Sequence, residues 1–125
     1  MSRRSVVRAL SAILAALALS AVVSSALVQA RATAHAAAAT VNVTAKEFHF
    51  TLSKKSAAHG KVTFKITNKG ALKHDFKING AKSKMILPHH SASLTVTFKK
   101  AGKYAYMCTV PGHAAAGMKG SFKVT

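Results

Sequence analysis

The residues best suited to chemistry lie in one stretch near the C-terminal end of the sequence. Cys108, His113 and Met118 follow one another at the spacing C-x4-H-x4-M. Each offers a metal-binding atom, namely a thiolate sulfur, an imidazole nitrogen and a thioether sulfur. Proline and glycine between these residues predict a loop that curls around one point. The stretch therefore predicts a site for a transition metal.

A fourth donor lies upstream. His74 is on the inward-facing parity of a predicted strand, beside Phe76. Two histidines, one cysteine and a more distant methionine form the donor set of blue-copper electron-transfer sites. Thiolate and thioether favour Cu(I), whereas imidazole accepts both oxidation states, so such a site changes little during electron transfer. Taken singly, each of these residues could simply be buried in a core. It is their combination that predicts copper.

Cys108 is the only cysteine in the chain. It cannot form an intramolecular disulfide, and a lone thiol in an oxidising compartment is a liability unless something occupies it. The cysteine count therefore agrees with a metal ligand.

The elements that must position these donors are predicted to be β-strands, because hydrophobic residues recur with a period of two from Thr40 onward. A change of parity near Lys46-Glu47 predicts a bulge or a crossing between sheets. Asn79-Gly80 predicts a hairpin. Short alternating strands separated by turn residues favour an all-β, antiparallel-rich sandwich or barrel. The inward-facing series are Val62, Phe64 and Ile66; His74, Phe76 and Ile78; Leu94, Val96 and Phe98; and Tyr104, Tyr106 and Cys108.

From about Val41 to Thr125 the chain resembles the small cupredoxins of the plastocyanin, azurin and rusticyanin kind. The resemblance rests on the alternating segment 61–68, on His74-Asp75-Phe76, and on the loop from Cys108 to Met118. It implies a two-sheet Greek-key β-sandwich or barrel over residues 40–125, with one type 1 copper ion near one end.

The same resemblance implies a role for each donor. His74, Cys108 and His113 would be equatorial ligands and Met118 the axial one, with electrons passing through the edge of the His113 imidazole. Pro111, Gly112 and residues 114–116 would offer a small apolar docking surface.

Two positions depart from the family pattern. The first histidine is followed by Asp75, where the family often has an asparagine that ties two copper loops together. Asp75 either does the same with its carboxylate or changes the redox potential. His89 and His90 stand where the family commonly has glycine and a polar residue; they are interpreted as surface loop residues, the alternative being a second, adventitious metal site.

The N-terminal region predicts export. Three arginines precede an apolar run from Ala9 to Ala26, and small-residue cleavage sites follow at 28–30 and 34–36. Residues 1–36 are therefore interpreted as a signal peptide and short Ala-rich leader, with cleavage near 30–36. A retained membrane anchor is the alternative. Either outcome predicts a periplasmic, extracellular or cell-envelope location.

The charge balance constrains the partners. Cleavage after Ala30 would leave fifteen lysines and Arg31 against Glu47 and Asp75, a net charge of +14. Acidic redox proteins, such as a cytochrome or a membrane oxidase or reductase, are the predicted partners, and peripheral contact with an anionic membrane is a further expectation. The lysines are dispersed along the strands, so no specific nucleic-acid binding is expected. A monomer is predicted.

Several functions are disfavoured by the sequence. With only Glu47 and Asp75 as acids, paired-carboxylate hydrolysis is nearly excluded. His74 and Asp75 are adjacent in a strand pattern, which disfavours a Ser-His-Asp triad. The chain is therefore predicted to be a one-electron carrier without enzymatic activity. Two alternatives remain open at this point: a copper-carrying or storage protein, and a cationic interaction module with a structural metal site.

Overall fold

The computed structural model describes residues 38–125, which form nine β-strands and no helix. The predicted leader, residues 1–36, lies outside the described residues. No helix in the described part is long and apolar enough to cross a membrane. The strands are β1 (Ala39–Lys46), β2 (His49–Leu52), β3 (Ser56–Ala57), β4 (Gly60–Asn68), β5 (Lys77–Ile78), β6 (Ala81–Lys82), β7 (Ser91–Phe98), β8 (Gly102–Met107) and β9 (Lys119–Val124).

The strands are arranged in two sheets. One has the order β2-β1-β4-β7 and the other β3-β9-β8-β5-β6. Neighbouring strands pair antiparallel except for β1 with β4 and β3 with β9, which run parallel. The prediction of an all-β, antiparallel-rich fold with two sheets is confirmed.

The core between the sheets comes from the predicted alternation. In β4, Val62, Phe64 and Ile66 are fully buried, while Lys61 and Lys65 face solvent. Phe64 of β4 packs against Phe122 of β9, in the other sheet, at a ring-centroid distance of 5.3 Å. Rings from both sheets thus interlock, and the free energy gained by burying them fixes the strands that carry the metal-site loops.

One prediction about the first two strands was wrong. The change of parity at Lys46-Glu47 is neither a bulge nor a crossing between sheets; it marks a hairpin in which Lys46 pairs with His49. The inward-facing residues are odd-numbered before this two-residue turn and even-numbered after it. Ala45 therefore pairs with Phe50. Phe48 consequently lies in the turn, outside β2.

The hairpin predicted at Asn79-Gly80 is confirmed. Ile78 pairs with Ala81, and the two residues between them have φ angles of 48° and 76°. Positive φ at both central residues is the signature of a type I′ turn, which matches the twist of the flanking strands. This turn returns the chain from β5 towards the segment that pairs with His74.

The lysines lie on the outside of the molecule. All fifteen are exposed in the described chain, most of them on the solvent-facing side of a strand. By contrast, Glu47 is half-buried and Asp75 is fully buried. Basic side chains therefore cover the surface, while the two carboxylates turn inward.

Candidate metal centre

The loop between β8 and β9 presents Cys108, His113 and Met118 from a closed turn. The Cys108 N–H donates to the Met118 carbonyl at 3.0 Å, and the Met118 N–H donates to the His113 carbonyl at 3.0 Å. Gly112 and Gly117 adopt φ angles of 83° and 122°, which side chains with a Cβ rarely tolerate. These contacts turn the C-x4-H-x4-M segment back on itself, as its composition predicts.

His74 is positioned by a second loop, which is held by hydrogen bonds from the Asn68 side chain. The His74 backbone forms an isolated antiparallel bridge with Ile86. The buried Asn68 amide donates to the Leu72 carbonyl at 2.8 Å and to the Ile86 carbonyl at 2.9 Å, and its carbonyl accepts from the Gly70 N–H at 2.8 Å. Asn68, the last residue of β4, thus joins the two segments on either side of His74.

Three of the four predicted donors converge in the interior. The Cys108 sulfur lies 3.6 Å from His113 Nδ1 and 4.0 Å from His74 Nδ1, and the two Nδ1 atoms are 3.1 Å apart. All three side chains are buried. Within residues 38–125 they form the one group of His, Cys, Asp or Glu side chains able to share a metal ion. Ring nitrogens at this separation share either a proton or a metal ion.

Met118, the fourth predicted donor, is also at this end of the molecule. Its side chain is fully buried, and its backbone bonds to both Cys108 and His113. The remaining histidines of the described chain stand apart. His89 and His90 are exposed loop residues, in agreement with their interpretation from sequence, and His49 and His59 are exposed as well.

The surroundings set the protonation of the donors. Burial raises the pKa of the Cys108 thiol, and backbone N–H groups of Asp75 and Val110 partly oppose that effect. Burial, together with the neighbouring His74, lowers the pKa of His113. At neutral pH His113 is therefore a neutral imidazole with a lone pair to offer. A metal ion must displace the thiol proton of Cys108, so binding should release a proton.

Asp75 ties the two loops together. Its carboxylate accepts hydrogen bonds from the Thr109 N–H at 2.6 Å and from the Thr109 hydroxyl. Lys82 Nζ lies 3.9 Å from the same carboxylate. Asp75 follows His74 and Thr109 follows Cys108, so these hydrogen bonds link the two ligand loops directly. Of the two roles that the sequence left open for Asp75, the structure shows the loop-joining one.

Glu47 is at the site as well, which the sequence analysis did not predict. Its Oε1 lies 3.1 Å from His74 Nε2 and accepts the Leu72 N–H at 2.7 Å. Chiefly because of the Leu72 N–H, the pKa of Glu47 falls from 4.5 to about 2. An ionised carboxylate only accepts hydrogen bonds, so the proton between Glu47 and His74 belongs to Nε2. One feature of the sequence could have drawn attention to Glu47: it is one of only two acidic residues in a chain with fifteen lysines.

Comparison with known proteins identifies the type of domain. The family model described as a cupredoxin-like domain matches residues 12–119. The search of curated proteins returned no match. The cofactor expected from the sequence, one type 1 copper ion, agrees with this family and with a donor set of two imidazoles, one thiol and one thioether.

Solved structures with the same fold include three auracyanins. Reduced auracyanin from the photosynthetic bacterium Roseiflexus castenholzii is 24% identical, with a TM-score of 0.62 over 70% of this chain and 98% of that one. Auracyanin A from Chloroflexus aurantiacus, described as a "blue" copper protein, is 23% identical, with a TM-score of 0.59 over 69% and 98%. Auracyanin B is 25% identical, with a TM-score of 0.61 over 70% and 89%.

Proposed function

Because the chain belongs to the cupredoxin-like family, we propose that it is an exported blue-copper protein that carries single electrons. The observation that carries the proposal is the convergence of two imidazole Nδ1 atoms and one thiol sulfur, 3.1 to 4.0 Å apart, in a buried site. Structures described as auracyanins, one of them a "blue" copper protein, have the same fold and support this assignment.

His74, Cys108 and His113 are the proposed equatorial ligands and Met118 the proposed axial one. Copper held there would supply one-electron exchange between Cu(II) and Cu(I). The protein supplies soft and borderline donors, excludes water by burial, and holds both ligand loops through Asp75 and Thr109. Loops braced in this way limit rearrangement between the two oxidation states.

We propose that the domain has no enzymatic activity. Catalytic metal sites generally keep one coordination position open for water or substrate. Here the three clustered donors and Met118 are all buried, and no second cluster of metal-binding side chains occurs among residues 38–125. A site filled by protein donors suits electron transfer rather than substrate binding.

The proposed route for electrons is the surface around His113. His113 is 8% exposed, and its ring packs edge-on against Phe48, which is 39% exposed. Pro111 and Gly112 are exposed beside it, as are residues 115 and 116. This small apolar surface would bring a partner close to the imidazole edge without binding it for long.

The proposed partners are acidic redox proteins of the periplasm or cell envelope. All fifteen lysines are exposed, so the described surface attracts anionic faces from a distance. A cytochrome or a membrane oxidase or reductase with an acidic docking face would fit, and the domain would meet it as a monomer.

The test is an optical titration of the purified protein with Cu(II). The expected result is an intense blue colour at one equivalent of copper that bleaches with ascorbate and returns with ferricyanide. A colourless or weakly coloured complex, or a stronger preference for Zn(II) than for copper, would contradict the proposed site class.

A further inference from the structure

The turn between β1 and β2 contacts both imidazole rings of the candidate metal centre. Glu47 Oε1 lies 3.1 Å from His74 Nε2. The ring of the next residue, Phe48, packs against the His113 ring at a centroid distance of 5.1 Å and an angle of 71°. Two consecutive residues therefore each engage a different predicted ligand.

Two glycines leave the space that this turn occupies. At Gly70, which is buried, an added Cβ would overlap the Glu47 carboxylate. At Gly117, an added Cβ would lie 3.1 Å from the Phe48 carbonyl oxygen, closer than most Cβ contacts. The glycines belong to separate loops, one before His74 and the other before Met118. Both loops lack a side chain where the turn approaches them.

The contact of Glu47 with His74 determines which ring nitrogen can bind a metal. A neutral imidazole has one N–H and one lone pair. With its proton on Nε2 and shared with the carboxylate, His74 keeps its lone pair on Nδ1. Nδ1 is the atom that faces Cys108 and His113. Carboxylates that accept from the outer nitrogen of a ligating histidine orient the ring and raise its basicity.

Glu47 is better suited to this role than to direct ligation. Its carboxylate meets Nε2, at the edge of the ring away from the three converging donors, and the Leu72 N–H holds it there at 2.7 Å. A metal ion bound at Nδ1 and an oxygen bound to Nε2–H occupy different sides of the same ring.

We propose that Glu47 is a positioning residue of the metal centre: its carboxylate keeps the His74 proton on Nε2 and thereby presents Nδ1 to the metal. The Glu47–Phe48 turn is then a structural part of the centre, although neither residue is a ligand. The identity of the metal rests on the proposed copper function, whereas the selection of the His74 tautomer does not.

The first test uses the metal-free protein and needs no copper. Long-range ¹⁵N–¹H NMR spectra of the imidazole groups report the tautomer of His74 at neutral pH. The wild-type protein should show the Nε2–H form alone. Glu47→Ala should give a mixture of tautomers, and Glu47→Gln, which retains an acceptor oxygen, should lie between the two. His49→Ala is the matched control, because His49 is exposed beside the same turn.

The second test measures Cu(II) affinity by competition with a chelator. Loss of such an outer hydrogen-bond partner typically costs about 10- to 100-fold in metal affinity, and Glu47→Ala should fall in that range. Glu47→Gln should lose less, and His49→Ala should match the wild type. Gly70→Ala keeps the carboxylate but displaces it, so it should reproduce part of the Glu47→Ala effect. It also carries the test if Glu47→Ala does not fold.

The outcomes separate the two proposals. The role of Glu47 would be overturned if Glu47→Ala and Gly70→Ala matched the control His49→Ala both in the tautomer of His74 and in copper affinity. Suppose instead that the wild-type protein forms no blue complex, but Glu47→Ala still changes the tautomer of His74. That result would overturn the copper function and leave the role of Glu47 supported.

Discussion

At the scale of single residues, Cys108 has the most specialised surroundings. Its sulfur is buried between two imidazole nitrogens, and this burial raises the pKa of the thiol. The strands do not depend on this sulfur, whereas a copper–thiolate bond does. A hydroxyl at this position is a harder and much less acidic donor, and copper sites of this class require the thiolate.

Cys108→Ser is therefore expected to abolish the blue colour and most Cu(II) affinity while leaving the fold intact. Optical titration and far-UV circular dichroism measure the two effects. His74→Ala is the companion variant, because it should open a position that added imidazole could fill and so restore colour. A serine variant that remained intensely blue would refute the assignment of Cys108.

Met118 invites a different prediction, because its expected role is weak ligation. Met118→Leu changes the buried volume little and should cost less than about 1.5 kcal/mol in unfolding free energy. It should keep a blue site and raise the reduction potential, since loss of a donor disfavours Cu(II). Met118→Gln should lower the potential. Voltammetry measures both shifts, and loss of copper from both variants would show that Met118 is a primary ligand.

At the scale of elements, the loop before His74 depends on Asn68. This single buried side chain bonds to the Leu72 and Ile86 carbonyls and to the Gly70 N–H, and the Ile86 carbonyl also accepts from the His74 N–H. Buried polar groups without partners cost roughly 1–3 kcal/mol each. The loop that presents His74 should therefore be sensitive to this one residue, although Asn68 is not a ligand.

Asn68→Ala is expected to lower the free energy of unfolding of the metal-free protein by about 3 kcal/mol. Chemical denaturation measures this change. Asn42→Ala is the matched control: Asn42 is exposed, so its effect should stay within about 0.5 kcal/mol. Equal effects of the two substitutions would mean that water replaces the Asn68 amide without cost.

The elements also show what could be predicted from the sequence. Cys108, His113 and Met118 lie within eleven consecutive residues, and the glycines that close their loop lie among them. Period-two patterns of the strands depend on neighbours along the chain in the same way. Such local features are visible in a sequence, which explains why the loop, the Asn79-Gly80 hairpin and the all-β fold could be predicted. The two-sheet Greek-key arrangement is what the family resemblance implies.

Glu47 could not be placed for the opposite reason. Its contacts with Leu72 and His74 join positions 25 and 27 residues apart, and they exist only because β1 turns back into β2 beside the metal-site loops. The change of parity at Lys46-Glu47 predicts a bulge or a sheet crossing, so it does not predict the turn that carries Glu47. The space that Gly70 leaves for the carboxylate is likewise a property of packing, which no periodicity reveals.

At the scale of the whole molecule, charge should govern how fast partners meet. All fifteen lysines are exposed, and their fields add at a distance even without a compact patch. The apolar surface near His113 is small, so charge should increase the association rate more than the affinity.

Electron transfer to an acidic acceptor should therefore slow markedly as salt is added. The Debye length falls from about 30 Å at 0.01 M to about 10 Å at 0.1 M ionic strength. Stopped-flow rate constants across this range measure the effect, with a neutral small-molecule oxidant as the control that should not respond. A flat or rising profile with the acidic acceptor would mean that the lysines only keep the protein soluble.

The separation of acids from bases has a practical consequence. Glu47 and Asp75, the only side-chain carboxylates of the chain, both bond to the interior, and every primary amine of a lysine side chain faces outward. Succinylation, which replaces each lysine ammonium with a carboxylate, would thus reverse the sign of the surface charge while leaving the hydrogen bonds of His74 and Thr109 in place. Apart from Lys82, whose amine lies 3.9 Å from the Asp75 carboxylate, the exposed lysines can thus be modified or mutated without altering the groups around the metal centre.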